Sequence, residues 1–98
     1  MELPSDVIQF VEASFQPPQQ AEALSLLVGA KLHDGSEPGE RMLRCALVAS
    51  SGNFDSLKRF VALLAIEYRD VILCGEYEKR GKETVRVRDL SEPLRPEV

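Results

Sequence analysis

Two apolar stretches separated only by Ser50-Ser51-Gly52-Asn53 set the tightest limit on what this chain can become. Upstream, Met42, Leu43, Cys45, Ala46, Leu47 and Ala49 cover much of a helix circumference, the pattern of a helix buried on several sides. Downstream, Phe54, Leu57, Val61, Leu64, Ala65 and Tyr68 fall on one helical stripe, with Phe60 and Leu63 widening it. Asn53 offers an N-cap to the second stretch and Asp55 places a carboxylate in its first turn. So short a link makes the two helices antiparallel neighbours, an αα-hairpin.

Two further segments precede this hairpin. Val7, Phe10, Val11 and Phe15 repeat at helical spacing, with Ser5 as the expected cap and the Pro17-Pro18 pair ending the run. Pro18 suits the first position of a second helix, where its missing N–H costs nothing. Ala21, Leu24, Leu27, Val28 and Leu32 line that helix, which the pattern carries to a stop at His33-Asp34-Gly35. Pro38 opens the third helix by the same logic as Pro18. Ion pairs four residues apart are expected for Glu40 with Arg44 and for Asp55 with Arg59.

Beyond Tyr68 two readings stay open. Val71-Ile72-Leu73-Cys74 fits a short helix capped by Asp70 and ending near Tyr77. It also fits a strand, which would pair with the alternating Thr84-Val85-Arg86-Val87-Arg88 across a turn at residues 79–83. A lone two-stranded hairpin is marginal unless it packs on something, which favours the helix. The fold expected is mainly α: a small bundle of four helices plus a short C-terminal element, the alternative being α+β with a hairpin at about 71–88. Leu24, Leu27, Leu43, Leu47, Leu57, Val61, Leu64 and Tyr68 are the expected core. A chain of 98 residues makes one domain, spanning 1–98, with a tail expected to loosen from about 90, where Pro93 and Pro96 stand among charges.

The same residues narrow the function classes. The N-terminus has neither a basic start nor an apolar run, and the longest apolar stretch, Phe60 to Ile66, is far too short to cross a bilayer. A cytoplasmic protein without membrane contact is the expectation. Cys45 and Cys74 lie among apolar neighbours, with no CxxC spacing, and read as reduced core residues, although spacing alone leaves a bridge between them open. His33, the single histidine, stands beside Asp34 but has no second histidine to complete a metal site, and reads as a helix-end residue. No nucleophile with a base, no paired carboxylates selected by spacing and no phosphate-binding glycine loop are present, so neither catalytic residues nor a cofactor are expected.

Two surface features remain. The apolar face of the fourth helix is wider than a small bundle covers, which makes Phe54, Phe60 and Leu63 candidates for contact with a partner protein or a second copy. Lys79, Arg80, Lys82, Arg86 and Arg88 stand against one internal acid, Glu83, with Tyr77 just before them. Such a segment can hold a phosphate backbone or another anion. It also describes a solvated strand that charges protect from unwanted pairing. The net charge of −4 speaks against a whole surface given to nucleic acid. An interaction module is the first reading and weak anion binding the alternative.

Overall fold

The computed structural model describes residues 3–94. Four helices come first: α1 (Ser5–Ser14), α2 (Pro17–Val28), α3 (Glu40–Ser50) and α4 (Phe54–Glu76). A two-stranded antiparallel hairpin follows, β1 (Tyr77–Arg80) with β2 (Glu83–Arg86). The mainly α expectation holds, and so does the C-terminal hairpin held as its alternative. Both readings of the ambiguous region are realised in succession: residues 71–76 are helix and residues 77–86 are hairpin. The turn is the two-residue Gly81-Lys82, with Gly81 at φ +63° in the first central position, the place where a type II′ turn calls for glycine.

The α3–α4 hairpin is the centre of the molecule and makes its largest interface. Five consecutive α3 residues, Leu43, Arg44, Cys45, Ala46 and Leu47, are buried, as a helix surrounded on several sides requires. Ser51 turns the chain in the left-handed conformation at φ 53°, and the Asn53 side chain accepts the Ser56 N–H at 2.9 Å as its N-cap. Leu57, Leu64 and Val71 continue the core along α4, while Val7 and Val11 reach it from α1 and Ala23 and Leu27 from α2. Phe15 meets the Phe54 ring edge-on at 6.5 Å between centroids, a favoured aromatic geometry.

Several local expectations are corrected. Helix α1 begins at Ser5 itself, with Pro4 as its cap residue and no side-chain cap bond. Helix α2 begins at Pro17, α3 at Glu40 after Gly39. Helix α2 ends at Gly29 rather than Gly35, because the Gly29 N–H already closes on Ser25 and the chain then leaves the helical path into a turn at Leu32–Gly35. Asp55 pairs with Lys58 at 3.7 Å, while Arg59 donates to Ser56 Oγ. The pair Glu40–Arg44 is present at 3.5 Å.

The largest departure is a kink in α4. Glu67 is non-helical at φ −152°, ψ 85°. Its carboxylate accepts the Arg69 N–H at 3.2 Å and the Arg69 guanidinium at 2.8 Å. Glu67, not Asp70, therefore caps the second half of the helix, and these bonds from Arg69 hold its carboxyl down at about 2. In an unbroken helix Tyr68 would lie one turn after Leu64, on the buried stripe. The kink moves it outside, where it is 40% exposed, so Tyr68 leaves the expected core. Leu27, Leu43, Leu47, Leu57 and Leu64 are fully buried as expected, and Leu24 and Val61 pack partly buried against them.

Candidate functional site

The first cluster of chemistry-bearing groups surrounds Glu76. This carboxylate is 0% exposed. Arg41 of α3 grips both of its oxygens, at 2.8 Å and 2.6 Å, and Arg86 of β2 lies 3.2 Å away. The Leu90 N–H donates to the same carboxylate at 3.0 Å. The Glu76 backbone carbonyl accepts the Val87 and Arg88 N–H groups, and Arg88 returns a bond to the Gly75 carbonyl at 2.7 Å. The Arg41 hydrogen bonds hold the Glu76 carboxyl below its ordinary value of 4.5 against the opposing effect of burial, with the Leu90 N–H assisting.

A second pair repeats the design. Arg44 is 3% exposed and binds Asp6 of α1 at 2.9 Å and 3.3 Å. It also donates to the Leu90 and Ser91 carbonyls, and Asp6 accepts the Leu94 N–H at 3.0 Å. Burial pushes the Asp6 carboxyl up, but Arg44 and the Leu94 N–H together outweigh it and leave it lowered. These pairs pin residues 87–94 across α1, α3 and α4. The segment from Leu90 to Leu94, expected to be loose, is held, with Leu90 buried; the rest of that tail, 95–98, lies outside the described residues. Among the described residues no buried side-chain donor or acceptor lacks a partner, so the two clusters read as structural clasps rather than as a place for a ligand.

The residues singled out from sequence are dispersed. Phe54, Phe60 and Leu63 are partly buried and pack against the core. Phe54 also lines an open groove of about 500 Å³ between α2 and α4, with Ala21, Glu22, Ser25, Leu26 and Lys58. The Lys58 ammonium stands 5.5 Å from the Phe54 ring centroid, within cation–π range. The large apolar side chains left outside are Ile66, 75% exposed, Leu73, 47%, and Tyr68, all within eight residues around the kink, together with Val28 on α2. Ile66 was legible as an isoleucine off the Leu57–Val61–Leu64 stripe. Tyr68 and Leu73 were not, because nothing in the sequence announces the kink between them and that stripe.

The basic segment is also divided. Arg86 pairs with Glu76 and Asp89, Arg88 approaches Glu78 at 3.8 Å, and Arg80 approaches Glu78 at 3.6 Å. Lys79 and Lys82 are exposed and in no ion pair among the described residues. Cys45 is buried as expected, and burial pushes its thiol up to about 12; Cys74, expected in the core as well, is exposed on α4, and both are free. Among the described residues there is no group of three or more His, Cys, Asp or Glu side chains able to hold a metal, and no helix long and apolar enough to cross a membrane. Comparison with models of known protein families, with curated proteins and with solved structures gives no match.

Proposed function

We propose that this chain is a small protein-interaction module that binds its partner through the apolar surface at the α4 kink. One observation carries the reading: Ile66, Tyr68 and Leu73 stay exposed beside a core that is otherwise complete. Single exposed apolar residues need no explanation, but three large ones within eight positions are a concentration of exposed apolar surface of the kind that protein contacts use. Arg69 and Asp70, between Tyr68 and Leu73 in the chain, are exposed, and polar neighbours are typical at the rim of such contacts.

The alternative, weak binding of nucleic acid or another anion through residues 79–88, has less behind it. Arg86 is engaged by Glu76 and Asp89, and Tyr77 is half-buried, which leaves Lys79 and Lys82 as its best support.

The double substitution Ile66→Asp with Leu73→Asp tests the reading. Both side chains are exposed, so the thermal unfolding midpoint should stay within a few degrees while partner capture, or self-association by sedimentation, falls at least about tenfold. Undiminished association in a folded double variant removes the proposal. Phe60→Glu tests something else, because Phe60 packs on the core. Lys79→Glu with Lys82→Glu serves the alternative better than changes at Arg86 and Arg88, which would break the Glu76 cluster. Loss of salt-sensitive oligonucleotide binding in that variant would favour the anion reading.

A further inference from the structure

We propose that the outer edge of β2 binds an extended acidic peptide segment, which joins the hairpin as a third strand. This surface is separate from the α4 patch, and the inference stands or falls without it.

The pairing register decides which backbone groups are free. Arg80 pairs with Glu83 across the two-residue turn and Glu78 with Val85. In a hairpin of this length those are the hydrogen-bonded pairs, and the residues between them turn their N–H and C=O outward. The Val87 N–H bond to the Glu76 carbonyl at 2.8 Å continues the same alternation. Thr84 and Arg86 therefore present two N–H and two C=O groups along the outer edge of β2, and none has a partner among the described residues. The outer edge of β1 is less open, because the Tyr77 N–H is already given to the Leu73 carbonyl at the end of α4. A two-stranded sheet is marginal alone and gains from a third strand. Strand addition to a free edge is a recurring way to bind an extended peptide.

Charge selects the kind of peptide. One face of the hairpin carries Tyr77, Lys79, Thr84 and Arg86, and the other Glu78, Arg80, Glu83 and Val85. Lys82 stands in the turn at the end of that edge, and Lys79 on β1 lies across from the small Thr84 on the same face, within reach over it; neither is in an ion pair among the described residues, whereas Arg86 at the edge already shares its charge with Glu76 and Asp89. A second copy of the same hairpin would bring like charges together. A strand with acids at alternate positions sets them on the Lys79–Arg86 face and its intervening apolar residues beside Val85.

The probe is a fluorescein-labelled seven-residue peptide alternating glutamate and valine, titrated into the full chain by anisotropy, with amide shifts of Thr84 and Arg86 as the site readout. The expected result is saturable binding that shifts both amides. Thr84→Pro removes an outward N–H and no ladder bond, and should weaken binding about tenfold or more; Thr84→Val keeps that N–H and should leave it unchanged. Two N-methylated versions of the peptide, one blocked at its glutamates and one at its valines, separate strand pairing from charge. Only one set of N–H groups can face β2, so one version should bind and the other should fail. This arm decides the matter if Thr84→Pro disturbs the hairpin. Equal binding of both methylated versions, or no amide shift at about 1 mM peptide, overturns the proposal. So does a single-stranded oligonucleotide that shifts the hairpin amides where the peptide does not.

Discussion

The α3–α4 hairpin and the C-terminal segment after Tyr77 are held by different physics. The body of the α3–α4 contact is apolar and close, with Leu43, Leu47, Leu57 and Leu64 all buried, and the Arg41–Glu76 pair joins the two helices where α4 ends. The C-terminal segment buries little beyond Leu90 and instead hangs on two charge pairs, Arg41–Glu76 and Arg44–Asp6, each extended by a backbone N–H. Apolar packing is insensitive to direction and falls off gradually when a residue is trimmed. A buried ion pair depends on geometry and protonation, and is strongly destabilising once a partner is lost. The bundle and its clasp should therefore fail under different insults.

The largest effect is expected where the two regions join. Gly75 lies against Cys45, and a Cβ there would come within 2.6 Å of the Cys45 Cα and 2.9 Å of its carbonyl oxygen. Those are backbone atoms, so Gly75→Ala has to push α4 off α3 and shift Glu76 with it. Overpacking of this kind costs about 3 kcal/mol. Urea unfolding should show that loss in one transition, with the Leu90 amide exposed together with the core. An unchanged midpoint would mean that α3 and α4 are free to slide apart, and the bundle would no longer be the rigid member of the comparison.

A smaller and more selective effect is expected at Glu76. Glu76→Gln keeps the size but removes the charge that Arg41 and Arg86 share and places an amide group toward other donors. Hydrogen bonds to a charged group are worth about 1.5 to 3 kcal/mol, and the loss should fall on residues 87–94 first. Hydrogen exchange should quicken at Val87 and Leu90 while Leu47 and Leu64 amides keep their protection. Acid should mimic the change. Both Glu76 and Asp6 have folded values below their ordinary 4.5 and 3.8. Their stabilisation is complete above those ordinary values and is lost as pH falls through the lowered ones. The Leu90 and Leu94 amide signals should thus shift in that acid range before the bundle signals do. Simultaneous loss of both sets would merge clasp and bundle into one cooperative unit.

This contrast also separates what could be read in the sequence from what could not. Leu43, Leu47, Leu57 and Leu64 announce themselves by spacing, because apolar periodicity is a local signal. Arg44 and Glu76 do not, because each takes its meaning from a residue at least 35 positions away. Arg44 reads as one end of a surface pair with Glu40, a contact that does form, while its buried partner Asp6 lies on another helix. A charged residue inside the run Leu43 to Leu47 was the one available hint. The α4 kink left no such hint: Glu67 is neither glycine nor proline, and its capping of Arg69 is a choice made by the folded chain. Phe54, Phe60 and Leu63, the apolar face expected from the sequence, pack partly buried against the core, while Ile66, Tyr68 and Leu73 stay exposed.

The smallest expected effect concerns the turn that builds the bundle. Ser51 is exposed and holds φ 53°, ψ 38°, a left-handed conformation that a side chain disfavours. Its N–H closes α3 on the Val48 carbonyl at 3.2 Å, the geometry of a helix C-terminus where glycine is preferred. Ser51→Gly removes the steric cost of the Cβ but adds freedom to the unfolded chain, beside a Gly52 that already has positive φ. The two effects partly cancel and leave a net gain of about 0.5 kcal/mol. Urea unfolding should show the gain in the global transition, while the acid shift of the Leu90 amide stays where it was, because Ser51 touches nothing in the clasp. A loss of stability would mean that serine does more at this turn than fill it. A moved acid transition would mean that the α3–α4 angle sets the grip of Arg41 and Arg44, so that the bundle tunes the clasp rather than merely carrying it.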